Sequence, residues 1–181
     1  MKTQVQKAEA FEALHKAPGC FVIPNPWDAG SARILAGLGF KALTTTSAGY
    51  ARSIGFPDYN AGRENVMAHI RAIAPMVDVP LAADLEDGFG PKPEDCAETI
   101  RQGAEAGLVG GSIEDFTGDR SDPIHDIAAA AERVRAASEA ARKLPFKFML
   151  CARAENYLNG RADLADTIRR LQAYQEAGAD V

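Results

Sequence analysis

No run of lysine or arginine and no basic stripe occurs anywhere in this chain of 181 residues. A phosphate-backbone footprint needs one, so with 20 basic against 25 acidic residues and a net charge of −5 no nucleic-acid partner is expected. Long apolar runs are missing too. No stretch reaches the roughly 20 residues of a membrane-spanning helix, and the opening "MKTQVQKAEAFEALHKAPG" sets Ala8, Phe11 and Leu14 at helical spacing among charges, without the continuous apolar segment of a signal peptide. Cysteine is scarce: Cys20, Cys96 and Cys151 are odd in number, far apart and match no metal-ligand pattern, which argues against a disulfide framework and for a reducing cytosol. The chain therefore reads as cytoplasmic, with no membrane partner. What remains, 46% hydrophobic and 25% charged residues, suffices to bury one sizeable core.

Short β-prone runs recur: "CFVIPN" at 20–25, "FKALTTTS" at 40–47, "VPLAADL" at 79–85, "VGGSIED" at 109–115 and "FKFMLCA" at 146–152. Helical patterns follow them. Ile127, Ala130, Val134, Ala137, Ala141 and Leu144 form one apolar stripe, and Leu164, Ile168 and Leu171 form another. Alternation of this kind predicts βα units and a parallel sheet, because a parallel neighbour needs a crossover. Ala-Gly pairs at Gly37, Gly107 and Gly178 punctuate the helix ends, where glycine takes the left-handed conformation of a cap.

An open doubly wound sheet and a (β/α)8 TIM barrel both satisfy this pattern. No G-x-G-x-x-G follows the first strand and the second ends in Thr and Ser, so the barrel is favoured. A complete barrel takes about 250 residues. The expected fold is thus α/β, a single partial TIM-barrel domain over residues 1–181 with about five βα units and the start of strand six at "AGADV", a fragment or truncated reading frame of a longer enzyme.

Barrel active sites lie at the C-terminal ends of the strands. Those ends carry Asn25 and Asp28, then Thr45 to Ser47, then Asp84, Glu86 and Asp87 in "AADLEDGFG", then Glu114 and Asp115, and last Arg153 and Glu155. Packed carboxylates repel unless neutralised, and an oxygen-only set suits Mg2+, or Mn2+, far better than zinc. Arg153 is suited to a substrate carboxylate or phosphonate. The segment "LEDGFGPKP" also reads as a solvated turn. His15, His69 and His125 read as structural or solvated, Trp27 as lining the mouth or packing as a cap, and the cysteines as buried small residues, Cys151 above all.

The segments "IPNPWDAGSARIL", "TTTSAGYARSIGFPD", "ADLEDGFG", "GGSIED" and "CARAENY" together resemble the isocitrate lyase/phosphoenolpyruvate mutase superfamily, in its order and at its spacing over essentially the whole chain. The resemblance implies a substrate-binding segment at Thr45, Thr46, Ser47 and Ala48, to which Trp27 is added as a candidate from its place near the mouth, and metal-site acids at Asp84, Glu86 and Glu114, with Asp84 the direct Mg2+ ligand. It implies a substrate-clamping Arg153 and, as in the phosphonate-active members, an essential Asp58 in the loop after strand two. It further implies a homotetramer for the intact enzyme. One departure stands out: the Lys-Lys-Cys-Gly-His segment of the isocitrate-type lyases is replaced by "IEDFTGDRSDPIHD", which argues against isocitrate cleavage by a cysteine acid.

The reaction expected from the resemblance makes or breaks a C–C or P–C bond of a small 2-oxo acid, such as phosphonopyruvate or oxaloacetate, through an enolate stabilised by the metal. A non-catalytic barrel fragment serving as an assembly module, and an unrelated metal-dependent pyruvate aldolase, are the competing expectations.

Overall fold

The computed structural model describes all 181 residues, Met1–Val181. Helices α1 (Gln4–Lys16) and α2 (Ala29–Gly37) precede strand β1 (Leu43–Thr44), which leads into α3 (Ser47–Ser53) and α4 (Gly62–Ile73). Then β2 (Leu81–Asp84), α5 (Pro93–Ala106), β3 (Gly110–Glu114), α6 (Ile127–Arg142), β4 (Met149–Arg153) and α7 (Leu164–Ala177) alternate. The strands form one sheet in the order β1-β2-β3-β4, parallel throughout. An α/β fold with a parallel sheet is what the strand and helix pattern anticipates.

The expected strand at 20–25 is not formed. Pro24 and Pro26 have no N–H to give a ladder, and the segment is tied to β1 by the Thr44 N–H donating to Pro24 O at 3.2 Å and by the Asn25 amide donating to Thr44 O at 3.0 Å. The second expected strand shrinks to Leu43–Thr44 because Thr46 caps α3, its hydroxyl accepting from the Gly49 N–H. Beyond β4, the Asp180 N–H donates to Leu150 O and the Ala152 N–H to Val181 O, so the last two residues lie alongside the sheet.

Strand alternation splits the residues between two faces. Leu81, Ala83, Leu85, Ile113, Leu150 and Ala152 join the main core of 28 buried residues, together with Ile70 of α4, Ile100 of α5 and Val134 of α6. The opposite face carries Ala82 and Met149, and α1 covers it at the N-terminal end of the strands with Ala8 and Phe11. Gly110 belongs there because a Cβ would meet the Phe11 ring at 2.7 Å and Met149 O at 2.9 Å.

The α6 stripe packs as expected, with Ala130, Val134, Ala137 and Ala141 buried. The α7 stripe does not: Leu164, Ile168 and Leu171 are exposed, while Arg170, Tyr174 and Ala177 form the buried face, and Tyr174 and Ala177 join the main core. Gly107 and Gly178 are the left-handed caps foreseen, whereas Gly37 ends inside α2 and Gly39 takes the positive φ of 94°. Cysteine burial also differs from expectation: Cys96 is buried, but Cys20 is exposed and Cys151 only half-buried. No helix is long and apolar enough to cross a membrane.

Candidate active site

Three neighbouring strands end on the face opposite the main core with Asp84, Glu114 and Arg153. Register aligns them: Asp84 pairs with Ser112 and Glu114 with Arg153. The guanidinium of Arg153 is the centre of the arrangement. Its Nη1 lies 3.3 Å from Asp84 Oδ1 and 3.3 Å from Glu114 Oε2, and its Nη2 lies 2.7 Å from Glu155 Oε1. Burial opposes its charge, but Glu114, Asp84 and Glu155 outweigh that and hold its pKa above the ordinary value.

Asp84 is satisfied on both oxygens. The Ser47 hydroxyl donates to Oδ2 at 2.7 Å and the Glu86 N–H to Oδ1 at 3.2 Å. The first turn of α3 is thereby fixed to the end of β2. Thr45, Thr46, Asp84, Ser112, Cys151 and Arg153 line a cavity of about 330 Å³. Ala48, the second residue of α3, contributes a backbone N–H that has no acceptor within its helix.

Glu86 takes a left-handed φ of 50° and lines a second cavity of about 280 Å³ together with Tyr59, Arg63, Asp87 and Phe89. It is buried, and its Oε1 has no hydrogen-bond partner. Burial first, then Asp84 and Asp87, push its pKa up to about 8. Glu114 is also buried; desolvation raises it to about 7 against the opposing effects of the Tyr59 hydroxyl and Arg153. The Tyr59 hydroxyl donates to Glu114 Oε1, and burial followed by that bond raises the phenol's own pKa.

The loop 86–91 that carries these acids is gripped from both sides. Arg63 donates to the carbonyls of Gly88 and Phe89, and the buried Arg133 to those of Asp87 and Gly90. Neither arginine faces the Arg153 cavity. Their charges hold loop backbone in place, which explains why three left-handed residues, Glu86, Gly88 and Phe89, persist there.

Of the residues expected from the sequence, Ser47 meets Asp84, Asp84 and Glu114 both meet Arg153, and Thr45 and Thr46 share a cavity with Asp84 and Arg153. Asp84, Glu86 and Glu114 do not gather around one point, and no three His, Cys, Asp or Glu side chains form a ready ligand set. The reason is that Arg153 stands between Asp84 and Glu114 as their counter-charge, while Glu86 lines the second cavity. A hard cation nevertheless suits these residues: the donors are all carboxylate oxygens, and Glu86 has a buried oxygen without any partner. Asp58 bonds only within its own turn, its Oδ1 accepting from the Tyr59 N–H at 3.1 Å. Trp27 is half exposed and lies outside the cavity lining, against α3 near Gly49.

Sequence reasoning grouped Asp115 with the mouth acids, but it faces the other way. Its Oδ2 accepts from Arg170 at 3.0 Å and from Tyr174 at 2.5 Å, and its Oδ1 accepts from the Glu155 N–H at 2.8 Å. Strand alternation after Glu114 carried that signal. Glu155, expected at the end of the last strand, does reach the site through Arg153. Tyr59 was not expected there and had no local signal, since its contact spans 55 residues of sequence.

Relatives share this architecture. A protein of Burkholderia cenocepacia J2315, provisionally described as a lyase/mutase, superposes with a TM-score of 0.95 at 59% identity, over 98% of this chain and 63% of its own. Phosphonopyruvate hydrolase, solved with oxalate and Mg2+, gives a TM-score of 0.89 at 27% identity, over 96% of this chain and 61% of its own. The 2-methylisocitrate lyase of Escherichia coli is 30% identical over 181 residues, 96% of this chain and 60% of the enzyme. The chain thus spans somewhat under two thirds of the length of these relatives. Its residues 11–181 match the family described as phosphoenolpyruvate phosphomutase, and the chain belongs to that family, within the phosphoenolpyruvate mutase/isocitrate lyase superfamily.

Proposed function

We propose that the chain carries the catalytic face of a Mg2+-dependent enzyme that makes or breaks a C–C or P–C bond of a small 2-oxo acid, and that its sheet is part of a (β/α)8 barrel. The observation that carries this reading is the Arg153 guanidinium 3.3 Å from both Asp84 and Glu114 at the ends of three adjacent parallel strands. Asp84, Glu86 and Glu114 are the residues that would hold the cation. When bound, Mg2+ supplies Lewis-acid neutralisation of the charge that collects on the oxygens of a 2-oxo acid as a bond at C3 breaks.

The protein's own residues do the rest. Arg153 presents a planar fork that fixes a carboxylate in one orientation, which a lysine cannot do. Backbone N–H groups at the start of α3, Ala48 among them, offer preorganised donors to developing negative charge. The Ser47 hydroxyl keeps Asp84 aimed at the cavity, and Thr45 and Thr46 form its wall. Asp58, on the turn after α3, is assigned to the transferring group. With no cysteine between Cys96 and Cys151, the acid step of isocitrate-type lyases has no residue here.

Calorimetric titration of oxalate, a planar mimic of the pyruvate enolate, tests the reading. Binding is expected with Mg2+, with a loss of at least about tenfold without it or in Asp84→Ala. Equal binding under all three conditions would refute the assigned site.

A further inference from the structure

Three non-glycine residues have a positive φ, and one of them, Tyr59 at 63°, follows Asp58 directly. A bulky aromatic in the left-handed region is a genuine outlier. Glycine or asparagine would occupy such a turn at lower local cost, so what keeps a tyrosine there must lie in its side chain. That side chain makes two long-range contacts. Its hydroxyl donates to Glu114 Oε1, and its ring packs on Phe116 with centroids 4.6 Å apart. Phe116 is itself immobilised, buried and bridged to Ile124 in the loop after β3.

Asp58, by contrast, is held only locally. Its carboxylate accepts from the Tyr59 N–H, its carbonyl accepts from the Asn60 amide at 2.9 Å, and the Asn60 N–H closes the turn on Pro57 O at 3.2 Å. None of these bonds connects the turn 57–60 to the sheet. The Tyr59 side chain does.

We propose that Tyr59 is the positioning residue of this turn: its left-handed backbone shapes the turn, and its hydroxyl and ring fasten Asp58 at the rim of the Glu114 cluster. For what Asp58 then does, the proposal rests on the function proposed above. Tyr59 acts through Asp58 and Glu114 and need not touch substrate.

Two measurements on the 181-residue chain test it. In Tyr59→Phe, amide hydrogen exchange of segment 57–61 should accelerate on the order of tenfold, the loss of one charge-assisted bond, while β3 is unchanged; unchanged exchange at 57–61 would overturn the latch. In phosphonopyruvate turnover, Tyr59→Phe and Tyr59→Gly should lower kcat with KM held within about twofold. Adding either to Asp58→Ala should cost nothing further. Additive losses, or an effect confined to KM, would overturn a role exerted through Asp58. A wild-type chain that binds no oxalate with Mg2+ would count against the proposed function instead, and the exchange experiment would still decide the latch.

Discussion

Glu114 and Asp115 are adjacent in the chain and serve opposite sides of the sheet: Glu114 meets Arg153 and the Tyr59 hydroxyl at the mouth, and Asp115 meets Arg170 and Tyr174 beneath α7. Both are buried carboxylates. They differ in how well they are paired. Asp115 accepts three hydrogen bonds, from Arg170, Tyr174 and the Glu155 backbone, whereas Glu114 is short of compensation and its pKa rises to about 7.

Opposite consequences for stability follow. Asp115→Ala strands the buried Arg170 guanidinium and the Tyr174 hydroxyl, and should cost about 3 kcal/mol in urea unfolding. Glu114→Gln removes a charge that burial already disfavours, and should change stability by less than about 1 kcal/mol while abolishing Mg2+-dependent oxalate binding. A costly Glu114→Gln, or a harmless Asp115→Ala, would reverse the assignment of structural and functional acid.

Arg153→Lys separates charge from geometry. Nε, Nη1 and Nη2 of Arg153 all face carboxylates, and an ammonium keeps the charge but cannot reproduce the fork. Oxalate affinity should fall by at least about tenfold with the melting temperature nearly unchanged. Retention of full affinity would mean that Arg153 acts as a bulk charge and does not orient the carboxylate.

Much of this was legible in the sequence, for identifiable reasons. The β2, β3 and β4 runs are short, apolar and β-prone, and the structure puts strands there at Leu81–Asp84, Gly110–Glu114 and Met149–Arg153. The convergence of Asp84, Glu114 and Arg153 then follows from parallel topology, which brings every C-terminal strand end to one edge. Three things were not legible. "CFVIPN" looks like a strand by composition, but Pro24 within it and Pro26 just after it leave too few donors. The α7 stripe Leu164, Ile168 and Leu171 has the right spacing, yet the helix turns Arg170 and Tyr174 inward because Asp115 awaits them, a polar contact that periodicity cannot register. Arg153 bridging the acids, and the left-handed φ of Glu86, depend on long-range charge balance and loop backbone conformation, neither of which is written in local sequence.

Gly88 sits in the gripped loop at a φ of 88°, where a Cβ would approach Cys96 Sγ to 2.7 Å. Gly88→Ala combines left-handed strain with a clash against a fully buried neighbour on α5. A loss of about 2 to 3 kcal/mol is expected, with Mg2+-dependent oxalate binding weakened as Glu86 shifts. A variant of wild-type stability would show that the loop can move outward, and hence that the arginine grip is looser than its hydrogen bonds imply.

His69 provides the pH test. Its ring stacks on Tyr50 with centroids 3.9 Å apart, its Nε2 is buried without a partner, and desolvation lowers its pKa to about 4 despite the opposing charge of Asp28. An unfolded histidine binds its proton near pH 6.5, so between about 6.5 and 4 the unfolded chain holds more protons than the folded one. Stability should therefore be fully present above pH 6.5 and fall as pH drops through that window, with a slope of at most about 1.4 kcal/mol per pH unit from this group. His69→Phe keeps the stack and has no proton to take up. It should match or exceed the wild type at pH 7 and lose less stability by pH 4.5 in parallel urea titrations. An equal loss in both proteins would mean that the acid sensitivity lies elsewhere, and that the His69 ring is charged without penalty in the folded state.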